Sequence, residues 1–208
     1  MNYDKIFQDM VNNSEEGDSL LLHVCCCPCL TYCLTQLTKF RITLFFSNDN
    51  ITNQAEYDKR LDEVRRFVAR VMSGDTEIEY KHPIDIIVPQ NAPGDFYERI
   101  LGHEKDKEGG NRCRECYHLR LTKAYQYANI HHFKYLATTL SISPYKDSNC
   151  LNAIGESLAE SGETKWLYSD FKKRGGYNKS IEMCNTYGIY RQHYCGCEYS
   201  IFQEKAEE

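Results

Sequence analysis

The residues that could do chemistry are cysteines, of which the chain has 11 among 208 residues. Three groups hold nine of them: Cys25, Cys26, Cys27, Cys29 and Cys33, then Cys113 and Cys116, then Cys195 and Cys197. A disulfide framework is a poor interpretation, because the count is odd, no export signal is visible and the chain is long enough to build a core. The grouping favours metal binding or redox chemistry. The isolated Cys150 and Cys184 are interpreted as small buried hydrophobic residues.

Cys113 and Cys116 lie at the start of a predicted helix, three residues apart and therefore on one face. The helix N-terminus favours thiolates, which are the form that binds metal. The first group must then supply further ligands, in one of two ways. Cys26 and Cys29 would complete the CxxC…CxxC pattern of a tetrahedral zinc site, whereas the adjacent Cys25 and Cys26 would suit a cluster with several metal atoms. A thioredoxin-like dithiol and inert buried thiols are the alternatives to a metal.

Cys195-Gly196-Cys197 predicts a different chemistry. A disulfide that closes over one intervening residue is small and strained, and strained disulfides are easily reduced. Glycine gives the backbone the freedom to close such a ring. The motif therefore indicates a redox-active pair, with extra metal ligands or spare surface thiols as the alternative.

Strands alternate with helices along the chain. Strands are predicted at 20–24, 41–46, 77–80, 135–139 and 165–168, and helices at 29–39, from Asn53 onward, at 112–130, from Ser148 to Gly162 and at 178–187. On the second helix we expect Glu56–Arg60 and Asp62–Arg66 to form exposed i,i+4 pairs. Residues 1–18 are interpreted as an acidic lead-in, 82–110 as irregular and 203–208 as a tail.

This alternation predicts one α/β domain with a mostly parallel, doubly wound sheet, Rossmann-like or HUP-like. In such sheets ligands bind outside the carboxyl ends of the strands. The first cysteine group follows the first strand, and the loop from Ser141 to Lys146 follows the fourth, so both are expected at that edge. His23, in the apolar first strand, is interpreted as a hydrogen-bonded core histidine. No GxGxxG or GxxxxGK[ST] motif is present, so a nucleotide cofactor is not expected.

The composition is that of an ordinary globular chain, with 41% hydrophobic and 26% charged residues. No apolar stretch approaches the roughly 18 residues of a membrane span. The N-terminus lacks the basic and apolar regions of a secretory signal. We therefore expect a cytoplasmic protein with no membrane partner.

A resemblance rests on five motifs that occur in order from about residue 19 to about residue 202. They are HVCC(C)PC from His23, GGNRCREC from Gly109, TTLSISP from Thr138, SDFKK with GG from Ser169, and YRQHYCGC from Tyr190. Together they resemble the QueH family of epoxyqueuosine reductases, which act without cobalamin in the last step of tRNA queuosine synthesis. The resemblance implies a 4Fe–4S cluster on Cys25, Cys26, Cys113 and Cys116, and a redox-active pair at Cys195 and Cys197. Cys27 departs from the motif, where a small residue such as alanine is expected.

Reduction of an epoxide to an alkene consumes two electrons and two protons and releases water. The departing oxygen needs a proton donor or a Lewis acid. Cys29 could hold a further mononuclear iron beside the cluster, or be an ordinary residue of the first helical turn. Four side chains are candidate acids, each with an ordinary structural role as the alternative: Asp170, Tyr145, Tyr190 and His193.

A tRNA substrate is anionic, and the chain has a formal net charge of −5. Residues 165–192, however, carry six cations against two carboxylates, a net charge of +4. The candidate tRNA contacts in this segment are Lys172, Lys173, Arg174, Lys179 and Arg191. The aromatic residues among them could stack on unstacked bases, namely Trp166, Tyr168, Phe171 and Tyr177. A solvated helix face with core aromatics is the alternative.

Two other functions stay open on the sequence alone. One is an iron–sulfur tRNA thiolase on a nucleotide-binding α/β fold, against which the missing phosphate-binding loop argues. The other is a zinc-stabilised RNA-binding module, which would be colourless and redox-silent. A reductase would also need an electron donor, which the sequence does not identify.

Overall fold

A computed structural model describes residues 1–200, so the predicted tail at 203–208 lies outside the described residues. Within this range the helices are α1 (Tyr3–Asn13), α2 (Cys27–Gln36), α3 (Gln54–Met72), α4 (Pro93–Arg99), α5 (Asn111–Ile130), α6 (Ser148–Ala159) and α7 (Gly176–Tyr187). The strands are β1 (Ser19–His23), β2 (Arg41–Phe45), β3 (Asp85–Ile87), β4 (Tyr135–Thr138) and β5 (Lys165–Trp166). Short 3₁₀ helices follow β4 and β5, at Thr139–Ile142 and Lys173–Gly175.

The strands form one parallel sheet in the order β3-β2-β1-β4-β5. The predicted α/β class with a doubly wound sheet is thereby confirmed. The first strand pairs with β2 on one side and with β4 on the other, so the strand order reverses between β1 and β4. A crevice opens at such a reversal point, outside the carboxyl ends of the strands, and ligands bind there in open α/β folds.

Alternate residues of the central strand face opposite helical layers. Leu20, Leu22 and Val24 pack in a core with residues of α1, α2 and α3, whereas Leu21 packs with residues of α5 and α6. Both sides of the sheet are covered, which explains why β1 is an uninterrupted apolar run. Among the described residues, no helix has the length and apolar character that crossing a membrane requires.

The third strand was predicted in the wrong place. Residues 77–80 are not a strand, and β3 instead lies at Asp85–Ile87 within the segment expected to be irregular. The Tyr80 hydroxyl group is the reason that 77–80 contacts the sheet, since it accepts from Ile42 N and donates to Phe40 O. The prolines of this segment do not prevent order, because Pro83 precedes the strand and Pro93 occupies the first turn of α4.

One helix was not predicted, and one of the two predicted helix caps is a different residue. The lead-in contains α1, whose Phe7 is buried in the core. Asp147 rather than Ser148 caps α6, accepting from the amide of Asn149 at 2.9 Å. Asn53 caps α3 as predicted, accepting from Glu56 N at 3.0 Å.

The ion pairs of α3 differ more from the prediction. Glu56 and Arg60 do pair, at 2.6 Å, but Arg60 is only 2% exposed and the pair is not on the surface. The predicted Asp62–Arg66 pair is replaced by pairs of Arg65 with Asp62 and of Arg66 with Glu63. A helical pattern places residues on a face, but the neighbouring segments decide whether that face is covered.

His23 connects the carboxyl ends of three strands, as a buried histidine with both ring nitrogens paired. Nε2 lies 3.1 Å from the carbonyl oxygen of Ser47, and Nδ1 lies 2.8 Å from Thr138 Oγ1. A carbonyl can only accept, so Nε2 carries the proton and the Thr138 hydroxyl donates to Nδ1. Burial lowers the pKa of His23 to about 3, so the ring is neutral. The expected core role of His23 is confirmed.

We predict that His23→Leu lowers the free energy of unfolding by about 1–3 kcal/mol, because it removes a partner from the buried hydroxyl of Thr138 and the carbonyl of Ser47. The measurement is urea unfolding followed by circular dichroism. The control is His118→Leu, since His118 is exposed on α5. Equal stability of the two variants would contradict this account.

Candidate active site

The first group of thiols forms where β1 ends and α2 begins. The sulfur atoms of Cys25, Cys26 and Cys29 all lie within 4.8 Å of one another, a spacing that could hold a metal ion. Cys25 Sγ lies 3.6 Å from Cys26 Sγ and 3.8 Å from the hydroxyl of Thr139, at the end of β4. This group therefore sits at the crevice between β1 and β4. The expectation that both loops meet at the carboxyl edge of the sheet is confirmed.

Cys27 points elsewhere. It packs in the core with residues of α2 and α3, whereas Cys25 and Cys26 pack in the core on the opposite side of the sheet. The chain turns into α2 at this point, with Cys26 as the extended residue before the helix and Pro28 in its first turn. Three consecutive cysteines thus divide between two sides of the fold.

The second group lies at the N-terminus of α5. The backbone amide of Gly109 donates to Cys113 Sγ at 3.3 Å, and Cys116 is buried one turn further on. Cys113 packs against the same hydrophobic cluster that contains Cys25 and Cys26 and that Cys29 also contacts. The helix N-terminus was expected to favour thiolates here, but burial raises the pKa of Cys113 and raises that of Cys116 to about 11, so both are favoured as thiols.

The third group lies on the C-terminal segment. Cys197 packs with Cys116 of α5 in a small cluster that Cys195 also contacts. The Cys195 thiol donates to Ser200 Oγ at 3.3 Å, and that hydroxyl donates to the carbonyl of Cys197 at 2.7 Å. Gly196 has φ +103°, a conformation that favours glycine.

A small cavity joins the second and third groups. Its walls come from the loop after β2, α4, α5, the loop after β4 and the C-terminal segment. The lining residues are Asn50, Phe96, Glu108, Arg112, Cys113, Cys116, Tyr117, Arg120, Lys146, Cys195, Cys197 and Ser200. Four thiols and a lysine therefore line one pocket.

Two thiols, Cys25 and Cys195, have lowered pKa values. Hydrogen bonds from Cys26 and Cys29 hold the pKa of Cys25 well below its ordinary value, and Lys146 and Arg120 lower it further. A hydrogen bond with Cys197 likewise lowers the pKa of Cys195, again with help from Lys146. Burial raises the pKa of Cys26 to about 12. One thiol of the first group, Cys25, and one of the third, Cys195, are thus favoured as the thiolate, the form that binds metal and attacks disulfides.

Sequence reasoning missed these cations, although both left a signal. Arg120 is four residues after Cys116 and therefore on the same face of α5. It is buried, and its Nη2 donates to Asn48 Oδ1 at 2.5 Å. Lys146 ends the loop that was expected at the functional edge. Tyr117 and Asn50, which also line the cavity, had no such signal.

Of the described residues that line this cavity, none is one of the four candidate acids. Tyr145 is 71% exposed and His193 is also exposed. Asp170 pairs with Lys172 at 3.1 Å and faces a separate cavity beside α1 and α2. The Tyr190 hydroxyl donates to Glu56 at 3.3 Å.

Several of the basic residues expected to meet tRNA have partners within the chain. Arg174 makes two contacts with Asp4, at 3.0 and 2.8 Å, and Lys172 pairs with Asp170. Lys179 and Arg191 lie over the rings of Tyr32 and Tyr177. Lys173 lines the cavity that Asp170 faces.

The aromatic residues of this segment divide in two. Trp166 and Phe171 are 3% and 4% exposed, so the hypothesis that they stack on bases is wrong for them. They are core residues of a short strand and of the turn behind it. Tyr168 stacks on Tyr3 of α1, with ring centroids 5.9 Å apart.

A parallel α/β fold that gathers thiols from separate segments at its carboxyl edge defines the class of α/β proteins with a thiol-lined site, which could bind a metal. Comparisons narrow this class. The family described as "Epoxyqueuosine reductase QueH" matches residues 20–203. The chain belongs to the QueH family, and it is an oxidoreductase.

Curated relatives align with nearly the whole of this chain. An "Epoxyqueuosine reductase QueH" of Streptococcus pyogenes serotype M1 is 40% identical over 96% of this chain and 78% of its own length. A protein of the same name from Staphylococcus epidermidis is 34% identical over 98% and 86%, and one from Thermotoga maritima is 30% identical over 90% and 92%.

Proposed function

We propose that this chain reduces the epoxide of epoxyqueuosine in tRNA to give queuosine, using a 4Fe–4S cluster and the Cys195–Cys197 pair. The observation that carries the proposal is the meeting of thiols from three distant segments around one crevice. The reaction is proposed from the family to which the chain belongs, whose members are described as epoxyqueuosine reductases. The thiols supply the groups that such a two-electron reduction needs.

The residues present suit an iron–sulfur cluster. Cys25 and Cys26 with Cys113 and Cys116 would hold it, since four thiolates are the usual donor set of a 4Fe–4S cluster. When bound, the cluster passes electrons singly. The Arg120 and Lys146 cations beside these thiols offset the negative charge that thiolate ligands bring into a buried site. Cys29 stays within reach of Cys25 and Cys26, so it is the proposed ligand of a further iron.

Cys195 and Cys197 are the proposed source of two electrons. The epoxide oxygen takes up two protons and leaves as water while a carbon–carbon double bond forms. The Cys195 thiolate and the Cys197 thiol close to a disulfide and release one of these protons, and solvent supplies the other. A cellular electron donor, not yet identified, then reduces the disulfide. The pair lines the same cavity as Cys113 and Cys116, so it lies beside two of the residues that would hold the cluster.

The tRNA would approach over the segment that follows β5. Lys172 donates to the carbonyl of Lys146 at 3.3 Å, so this basic segment abuts the loop that lines the cavity. Lys172, Lys173, Arg174, Lys179 and Arg191 remain the proposed phosphate contacts. Partners within the chain hold several of these side chains in place, and the carboxylates among those partners partly neutralise the positive charge that would attract phosphates. The expected cytoplasmic location remains a prediction.

The proposed ligand set predicts which cysteine variants lose the cluster. Cys113→Ser and Cys116→Ser should lose iron, sulfide and activity together, because a harder oxygen ligand binds iron–sulfur corners poorly. Cys25→Ala and Cys26→Ala should do the same, whereas Cys27→Ala should retain the cluster, since Cys27 lies in the opposite core. The measurement is iron and sulfide analysis of protein purified without oxygen.

Cys184→Ala and Cys150→Ala are the controls, because both residues lie outside the cavity. A Cys113→Ser protein with full iron, sulfide and activity would overturn the ligand set. Zinc without sulfide in the unaltered protein would favour the zinc-stabilised RNA-binding module instead.

The proposed redox pair predicts a different outcome. A double variant, Cys195→Ser with Cys197→Ser, should keep its iron, sulfide and brown colour, because the four proposed ligands are intact. It should fail to convert epoxyqueuosine in tRNA to queuosine over repeated turnovers, since the dithiol is lost. Cluster content and nucleoside analysis are measured on the same preparation. Loss of the cluster would make these cysteines ligands, and full turnover would make them spare thiols.

A further inference from the structure

Arg60 reaches from α3 to the backbone of the segment that carries the proposed redox pair. Its Nη1 donates to the carbonyl of Cys195 at 3.0 Å, and its Nη2 donates to the carbonyl of Tyr194 at 3.1 Å. The third nitrogen, Nε, pairs with Glu56 at 2.6 Å. The guanidinium also lies over the ring of Tyr194, 5.2 Å from its centroid. Every nitrogen of this buried cation is therefore engaged.

The same segment is held by close packing. Asn50 of the loop after β2 also donates to the carbonyl of Cys195, at 3.3 Å. A Cβ atom on Gly196 would lie 2.7 Å from Ile51 Cγ1 and 3.2 Å from Arg60 Nη1. The glycine between the two cysteines thus lets the backbone lie directly against α3 and the loop after β2.

These contacts bridge the two helical layers. Arg60 belongs to α3, which packs with α2 on one side of the sheet, whereas Cys197 packs with Cys116 of α5 on the other. Arg60 therefore connects the layer that contains α3 to the segment whose Cys197 packs on α5.

We propose that Arg60 is a positioning residue that holds Cys195-Gly196-Cys197 at the cavity, in reach of the proposed cluster; this inference rests on the proposed function. A buried guanidinium is costly unless it is fully paired, and here two of its three nitrogens serve the backbone on either side of the reacting thiol. A planar fork can join Glu56 and both carbonyls at once. An ammonium group cannot span that geometry.

The test compares Arg60→Gln, Arg60→Lys and Gly196→Ala with the control Arg65→Gln, since Arg65 is exposed on the same helix. Three quantities are measured on the cluster-loaded protein: iron and sulfide content, hydrogen exchange along the chain, and kcat and KM for epoxyqueuosine-containing tRNA. Gly196→Ala displaces the same segment without altering the buried charge. It keeps the proposal testable if Arg60→Gln fails to fold.

We expect Arg60→Gln and Gly196→Ala to retain iron and sulfide and to exchange faster only at residues 194–200. Their kcat should fall on the order of 100-fold, with KM for the tRNA unchanged, because a small misplacement of a reacting group has an effect of that size. Arg60→Lys should recover part of the loss, and Arg65→Gln should match the unaltered protein.

Two results would overturn the inference. One is unchanged kcat in both variants despite faster exchange at 194–200. The other is loss of the cluster in both, which would make the contacts a support for the metal centre. If the unaltered, cluster-loaded protein makes no queuosine, the proposed function itself is wrong. If the unaltered protein is active and the variants have the same kcat, only the inference about Arg60 is wrong.

Discussion

The site depends on a buried hydrogen-bond network at the crevice between β1 and β4. His23 joins the end of β1 to Thr138 of β4 and to Ser47 after β2, and Arg120 of α5 binds the same loop through Asn48. Each member is buried, so each unpaired group would carry the full cost of its lost hydration. The network therefore sets the relative positions of the segments that carry Cys25, Cys26, Cys113 and Cys116. The thiols meet because the end of β1, which precedes Cys25 and Cys26, and α5, which carries Cys113 and Cys116, are tied to the same loop after β2.

Charge is the second constraint on this edge of the sheet. Thiolates gathered in a buried space repel one another, and cations brought from other segments offset that repulsion. Arg120 comes from α5, Lys146 from the loop after β4, and Arg60 from α3. Arg120 and Lys146 each act on more than one thiol, and Arg60 is held by hydrogen bonds of its own. The same arrangement suits the proposed cluster and the proposed redox pair.

The fold could be predicted where one residue pattern decides the structure. The apolar run of β1, the alternation of strands with helices and the Asn53 cap are local features, and they indicated a parallel α/β sheet. The third strand could not be placed, because β3 is a three-residue edge strand whose pairing depends on β2. Arg60 was also misjudged as a surface residue. Its helix has the expected pattern, but the segment that covers Arg60 lies more than 130 positions along the chain.

By itself the sequence determined the family and the fold class, through its clustered thiols, its Cys-Gly-Cys motif and the alternation of strands with helices. These depend on residue types and short spacings, which are local. Only the tertiary structure decided that Cys27 faces the opposite core, that Arg120 and Lys146 face the thiols, and that the four candidate acids lie away from the cavity. The physical reason is that the direction of a side chain depends on where a strand ends and a helix begins, and its neighbours depend on the strand order. The spacing of residues along the chain specifies neither the direction nor the neighbours.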